Sequence, residues 1–207
     1  MAEREKNSLR VAILDMYEGF ENQGMRCIRE ILNQYADSNS IDVDFDEFEV
    51  RLEKQSPDLS YDIYISSGGP GSPLESEGSD WEKVYFNWLD QVERYNRNPA
   101  HVQKKKVFFI CHSFQLICRH YKVGHVAKRK STAFGIFPIH LMQAGKDEPT
   151  FSGLRDPFIP LIAAITRSSN PIITAWNSLA PVSWPLKKKD RMCRWKGPSW
   201  LSASMKT

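Results

Sequence analysis

Val107-Phe108-Phe109-Ile110-Cys111-His112-Ser113-Phe114-Gln115 is an apolar run that ends on a cysteine and passes straight into a helical pattern. Val107–Ile110 predicts a strand, and His112–Tyr121 predicts a helix with Phe114, Ile117 and Cys118 inward. Upstream, Asp62–Ile65 predicts a second short strand that runs into Ser66-Ser67-Gly68-Gly69-Pro70-Gly71-Ser72-Pro73, a loop dense in turn residues. Both segments therefore deliver unusual chemistry at the C-terminal end of a strand.

Working outward, Leu9–Asp15 reads as a buried, β-branched strand opening the chain. Residues 22–36 place Met25, Ile28, Ile31, Leu32 and Tyr35 at helical spacing. Residues 41–50 alternate as a more exposed strand, 80–95 form an amphipathic helix, and Phe134–Met142 alternates as a further strand. Strand and helix alternate, so the fold class is α/β with a parallel sheet. Ligands of such sheets bind beyond the C-terminal strand ends. The Gly-rich loop and Cys111 both fall there.

At 207 residues, 41% hydrophobic and 26% charged, the chain can bury a core without disulfides or metal. Its four cysteines form no CxxC pair and no zinc-type cluster with histidine, which predicts a reduced, cytoplasmic protein with no metal and no cofactor. No apolar run spans a membrane, and the charged N-terminus is no signal peptide. The basic runs Lys104–Lys106 and Lys187–Lys189 lack interleaved aromatics, so nucleic acid is not an expected partner.

Cys111 is the candidate nucleophile. A sharp strand-to-helix turn exposes its thiol, and the following helix N-terminus favours thiolate through its free N–H groups. The backbone N–H of His112 would then face a developing oxyanion. A cysteine after an apolar run is also a common core residue, so position alone does not decide. Gly68 and Gly69 let backbone N–H groups turn toward a substrate carbonyl. The loop carries no GxxxxGK[ST] pattern and is not a phosphate loop.

Ser67-Gly68-Gly69-Pro70-Gly71-Ser72-Pro73 resembles the oxyanion-strand motif of class I glutamine amidotransferases, and Phe109–Gln115 resembles their nucleophile motif G-x-C-x-G-x-Q. Thr132–Leu141 is similar to the strand that follows, and the whole resembles the glutaminase domain of GMP synthase, which implies a flavodoxin-like sheet of the class I amidotransferase type. It covers roughly residues 9–157. The resemblance implies hydrolysis of glutamine to glutamate and ammonia by a Cys-His-Glu triad, with Cys111 as nucleophile. It implies Gly69 and His112 N–H groups as the oxyanion hole, Gly68 and Gln115 as substrate-binding residues, and a separate synthetase or other ammonia-accepting partner. Phe109 and Ser113 replace both motif glycines, and the loop-to-elbow spacing is long. Proteins of the DJ-1/PfpI type also join an elbow cysteine to a histidine, and Gly19-Phe20-Glu21 could mimic their glutamate, but Gln115 and the Ser67–Pro73 loop favour the amidotransferase and Glu21 reads rather as a solvated helix-start residue. The remaining alternative is a non-catalytic remnant or binding module. His101, His120, His125 and His140 read as packed or surface residues.

The last 50 residues differ. Residues 1–157 hold 20 Lys+Arg and 24 Asp+Glu, whereas 158–207 hold 8 and one, with four of the six tryptophans. No segment resembling Q-F-H-P-E, where the family keeps its histidine and glutamate, is present. Back-translation shifted by minus one nucleotide forces or nearly forces Glu at Trp176-Asn177, Ala at Trp184-Pro185 and Val at Met192-Cys193, and it allows an acidic, periodic string elsewhere. The expected organisation is an amidotransferase-like domain over 1–157 and an irregular basic tail over 158–207, out of frame from near Phe158 and leaving the sheet incomplete and hydrolysis impaired.

Overall fold

The computed structural model describes residues 8–147 and 151–169. Four parallel strands, β1 (Ser8–Asp15), β2 (Asp42–Glu49), β3 (Ile63–Ser66) and β4 (Lys106–Phe109), lie in the order β2-β1-β3-β4. Val11 faces Phe45 on one side and Ile63 on the other, and Ile63 faces Lys106. Val11, Ala12, Ile13 and Leu14 are all fully buried, as expected of a central parallel strand covered on both faces. The strand order reverses between β1 and β3, which creates the crevice where sheets of this kind bind ligands.

Period-two alternation sorts the core. Val11 and Ile13 pack with Met25, Ile28 and Leu32 of α1 (Gln23–Asn39). Ala12 and Leu14 face the other way, onto Trp81, Tyr85, Trp88, Leu89 and Val92 of α2 (Asp80–Arg97) and Leu116 and Ile117 of α3 (His112–His120). Asn22 caps α1 by accepting from the Met25 N–H at 2.8 Å. On α2, Asp80 and Glu82 open the helix and Arg94 and Arg97 close it, matching its dipole.

Two helical positions depart from the expected inward face. Ile31 and Tyr35 are 62% and 50% exposed. They sit on the flank of α1 opposite Arg29, which pairs with Glu47 of β2. On the α1 side of the sheet Phe108 of β4 is 57% exposed, while its neighbours Val107 and Phe109 pack on the α2 side.

A second, two-stranded sheet joins β5 (His125–Ile136) and β6 (Leu161–Ser169). The chain divides into two compact units, one running through Lys128 and taking in Thr166, the other containing Arg129–Ile165. The strand expected over Phe134–Met142 begins earlier and ends at Ile136. Pro138 has no N–H to donate, and pairing beyond it continues only as the bridge Ile139↔Phe158. Leu161–Ser169 is a strand inside the stretch read as irregular. In the same unit Asp156 pairs with Lys146 (2.7 Å) and His140 (3.7 Å). No helix among the described residues is long and apolar enough to cross a membrane. The proposed out-of-frame segment beyond Ser169 lies outside the described residues.

Trp88 is 1% exposed and stacks obliquely on Tyr64 and Tyr85 at centroid distances of 5.3 and 5.5 Å. Trp88→Ala should destabilise the domain by about 3–5 kcal/mol through the cavity it leaves. Urea unfolding measures this, and a loss under about 1 kcal/mol would contradict the packing described.

Candidate active site

Three loops meet at the β1/β3 crevice: the turn after β1, the Gly-rich loop after β3, and the elbow after β4. Cys111 is the N-cap of α3 with φ 52° and ψ −100°, a left-handed conformation rare for a residue with a side chain. Its side chain makes no capping bond, so it leaves the helix N-terminus open. A strained strand-to-helix turn carrying an exposed thiol is the geometry expected of a nucleophile elbow. Cys27 is also exposed, whereas Cys118 is buried; Cys193 lies outside the described residues.

Ser113 fixes this turn. Its hydroxyl accepts from the Ile110 N–H (2.9 Å) and donates to the Ser66 carbonyl at the end of β3 (2.8 Å). The residue that replaces a family glycine thus contributes a bond no glycine could make. Phe109, the other replacement, turns into the α2-side core, so its bulk does not crowd the elbow.

Gly68 borders Cys111. A Cβ on Gly68 would lie 3.5 Å from the Cys111 Cβ and 3.0 Å from the Tyr17 hydroxyl. Gly69 has a different constraint, since a Cβ there would stand 2.4 Å from the Met16 carbonyl. Ser67 stitches the Gly-rich loop to β1: its Oγ accepts from the Met16 N–H (3.0 Å), and its own N–H reaches the Leu14 carbonyl (3.0 Å).

Two arginines hold the loop's carbonyls. Arg51 donates to the carbonyls of Pro70 (2.8 Å) and Met16 (3.3 Å), pairs with Glu18 (2.7 Å) and lies over the Trp81 ring. Arg119 donates to the Pro73 carbonyl and pairs with Glu82 at 2.5 Å. The Glu82 carboxylate, 2% exposed, also accepts from the Ser76 hydroxyl and the Gly78 N–H. Sequence reading did not single out Arg51, Arg119, Glu82 or Tyr17. A surface-type arginine between two strands and a glutamate in an amphipathic helix carry no spacing signal. Glu82 one turn into α2 at a buried position was the readable hint.

The electrostatics qualify the expected activation. Burial pushes the Cys111 thiol up, and the His112 backbone N–H opposes this without reversing it. The His112 ring takes another course. It is buried, bonded to the Gly71 backbone, and its Nε2 has no partner among the described residues. Burial, then Arg51 and Arg119, push its pKa down to about 4, so it is neutral at physiological pH. Gln115 is buried and accepts at Oε1 from the Thr166 hydroxyl at 2.5 Å. Glu21 is exposed; the carboxylate drawn into the crevice is that of Glu18. His101 stacks on Tyr95 and His120 on Phe86, which accounts for both structurally. Among the described residues no group of His, Cys, Asp and Glu is arranged to hold a metal.

The solved structure of a glutamine amidotransferase from Thermotoga maritima superposes with a TM-score of 0.60 over 79% of this chain and 63% of that one, at 16% identity. The fold is of the glutamine amidotransferase type. A glutamine amidotransferase from Methylobacillus flagellatus matches at 15% identity, TM-score 0.48, over 80% of this chain and 58% of its own. The chain thus spans less than two thirds of the length of these proteins. No protein-family model and no curated protein sequence matches it.

Two outcomes follow from the elbow. Ser113→Ala removes the hydroxyl that shares the direct Ile110 N–H to Ser66 carbonyl bond (2.9 Å) and should cost about 0.5–1.5 kcal/mol in denaturant unfolding. It should also slow Cys111 alkylation, and unchanged stability would refute the tie. Separately, Cys111 alkylation should outpace that of buried Cys118 and rise with pH through a midpoint above that of a free cysteine thiol. A midpoint below neutrality, read by mass-mapped alkylation, would refute the dominance of burial.

Proposed function

We propose that this chain is a glutamine amidotransferase-type thiol amidase domain that binds glutamine and cleaves its side-chain amide slowly. The observation that carries this reading is Cys111 held at positive φ between β4 and α3, beside Gly68 and at the sheet's switch point. In the proposed reaction the Cys111 thiolate attacks the amide carbon. The Gly69 and His112 N–H groups receive the oxyanion, ammonia leaves with a proton drawn from water, and the hydroxide formed releases glutamate from the thioester and regenerates the thiolate. Gly68 leaves room for the substrate, and the Gln115 amide nitrogen, without a partner among the described residues, could meet it while Oε1 is taken by Thr166.

Slowness follows from the missing acid–base partner. The neutral His112 ring is turned to Gly71 and the two arginines, which disfavours a DJ-1/PfpI-like dyad with Cys111. Ammonia produced here would be used by a separate acceptor protein in the cytoplasm.

The chain should release ammonia from glutamine in a manner abolished by Cys111→Ala. The rate should lie roughly a hundred- to ten-thousand-fold below that of a version carrying the minus-one frame through a Q-F-H-P-E segment. Equal rates from the two would overturn the proposal. Loss of activity in His112→Ala with the ring's neighbours intact would favour the dyad instead.

A further inference from the structure

Tyr17 follows β1 and reaches across the crevice. Its backbone is fixed by a bond from its N–H to the Asp15 carboxylate (2.8 Å) and by its carbonyl accepting from Phe20 (3.0 Å). Its hydroxyl is lodged between two glycines from different elements. A Cβ on Gly24, in the first turn of α1, would stand 2.6 Å from it, and a Cβ on Gly68 would stand 3.0 Å from it. The same point over Gly68 is 3.5 Å from the Cys111 Cβ. Two glycines therefore keep open the space that the hydroxyl shares with the nucleophile. Among the described residues that hydroxyl has no hydrogen-bond partner. A half-buried phenol without a partner, beside a reactive thiol, is a group poised for a ligand.

The geometry points to Tyr17 as a substrate-contacting residue whose hydroxyl hydrogen-bonds the amide end of a ligand held at Cys111. This rests on the amidase reading above. A phenol can donate to an amide carbonyl and accept from an amide N–H, so it suits a primary carboxamide better than a carboxylate. It makes no bond to the thiol itself, so the contact is with the ligand and not with the nucleophile. Burial, then the nearby Cys111 thiolate, push the Tyr17 pKa up, which keeps the proton available for donation at neutral pH. Neither His112, whose ring bonds Gly71, nor Gln115, whose Oε1 is occupied, offers a hydroxyl-like donor–acceptor here.

The test compares two probes of Cys111 in the full chain: a diazoketone analogue of glutamine, which must be recognised, and iodoacetamide, which need not be. Tyr17→Phe should raise the half-saturating concentration of the glutamine analogue roughly three- to tenfold, the worth of one net hydrogen bond. The maximal labelling rate and the iodoacetamide rate should change less than about twofold. Gly24→Ala, which pushes a methyl onto the hydroxyl without removing it, should give the same selective loss and serves if Tyr17→Phe does not fold. Equal labelling of wild type and variants by the analogue overturns the inference. So does a matched fall with both probes, which would place Tyr17 in supporting the thiol or the fold. If wild type reacts with iodoacetamide but not with the analogue, the amidase reading itself fails and takes the inference with it.

Discussion

The hydroxyl of Ser113 joins the ends of two neighbouring strands at the point where the sheet stops. It takes the Ile110 N–H and gives its proton to the Ser66 carbonyl, so β3 and β4 finish in a fixed register beside each other. The Gly-rich loop begins at one of these ends and Cys111 at the other. The Ile110 N–H also bonds the Ser66 carbonyl directly at 2.9 Å, so the hydroxyl closes a three-membered network where the chain must make its tightest turn. The positive φ of Cys111 persists because this bond, the α3 hydrogen bonds and the β4 ladder over-determine it.

The Gly-rich loop shows the same logic with charge. Its carbonyls are drawn outward by Arg51 at Pro70 and by Arg119 at Pro73. Each arginine is in turn held by a carboxylate, Glu18 or Glu82. Exposed ion pairs contribute little, but these arginine side chains are 11% and 14% exposed and make several bonds each. Their role is to set the direction of a flexible backbone. A loop of Gly, Ser and Pro would otherwise sample many shapes at small cost.

What was readable in the amino-acid order was what repeats or punctuates. β1, β4 and the helices α1 to α3 announce themselves by apolar runs and by spacing, and the pair of Gly-rich loop and Cys111 announces the crevice. Ile31 and Tyr35 were misplaced because periodicity tells which flank is apolar and not whether a neighbour covers it. β5 was found only in part, since Lys128-Arg129-Lys130-Ser131 offers no hydrophobic alternation and its pairing partner β6 is more than twenty residues away. The thiol's electrostatics also resisted reading: a helix N-terminus is visible in sequence, while the crowding that outweighs it is a property of the folded crevice.

The left-handed turn at Cys111 sets stability against chemistry at a single position. A side chain at φ 52° and ψ −100° carries strain of about 1–3 kcal/mol, whereas glycine adopts such a conformation freely. Glycine's extra freedom in the unfolded chain offsets only about 0.5–1 kcal/mol of that. Selection for folding alone would therefore favour replacing this cysteine. In a lineage without the proposed reaction, position 111 is where drift should run first toward glycine.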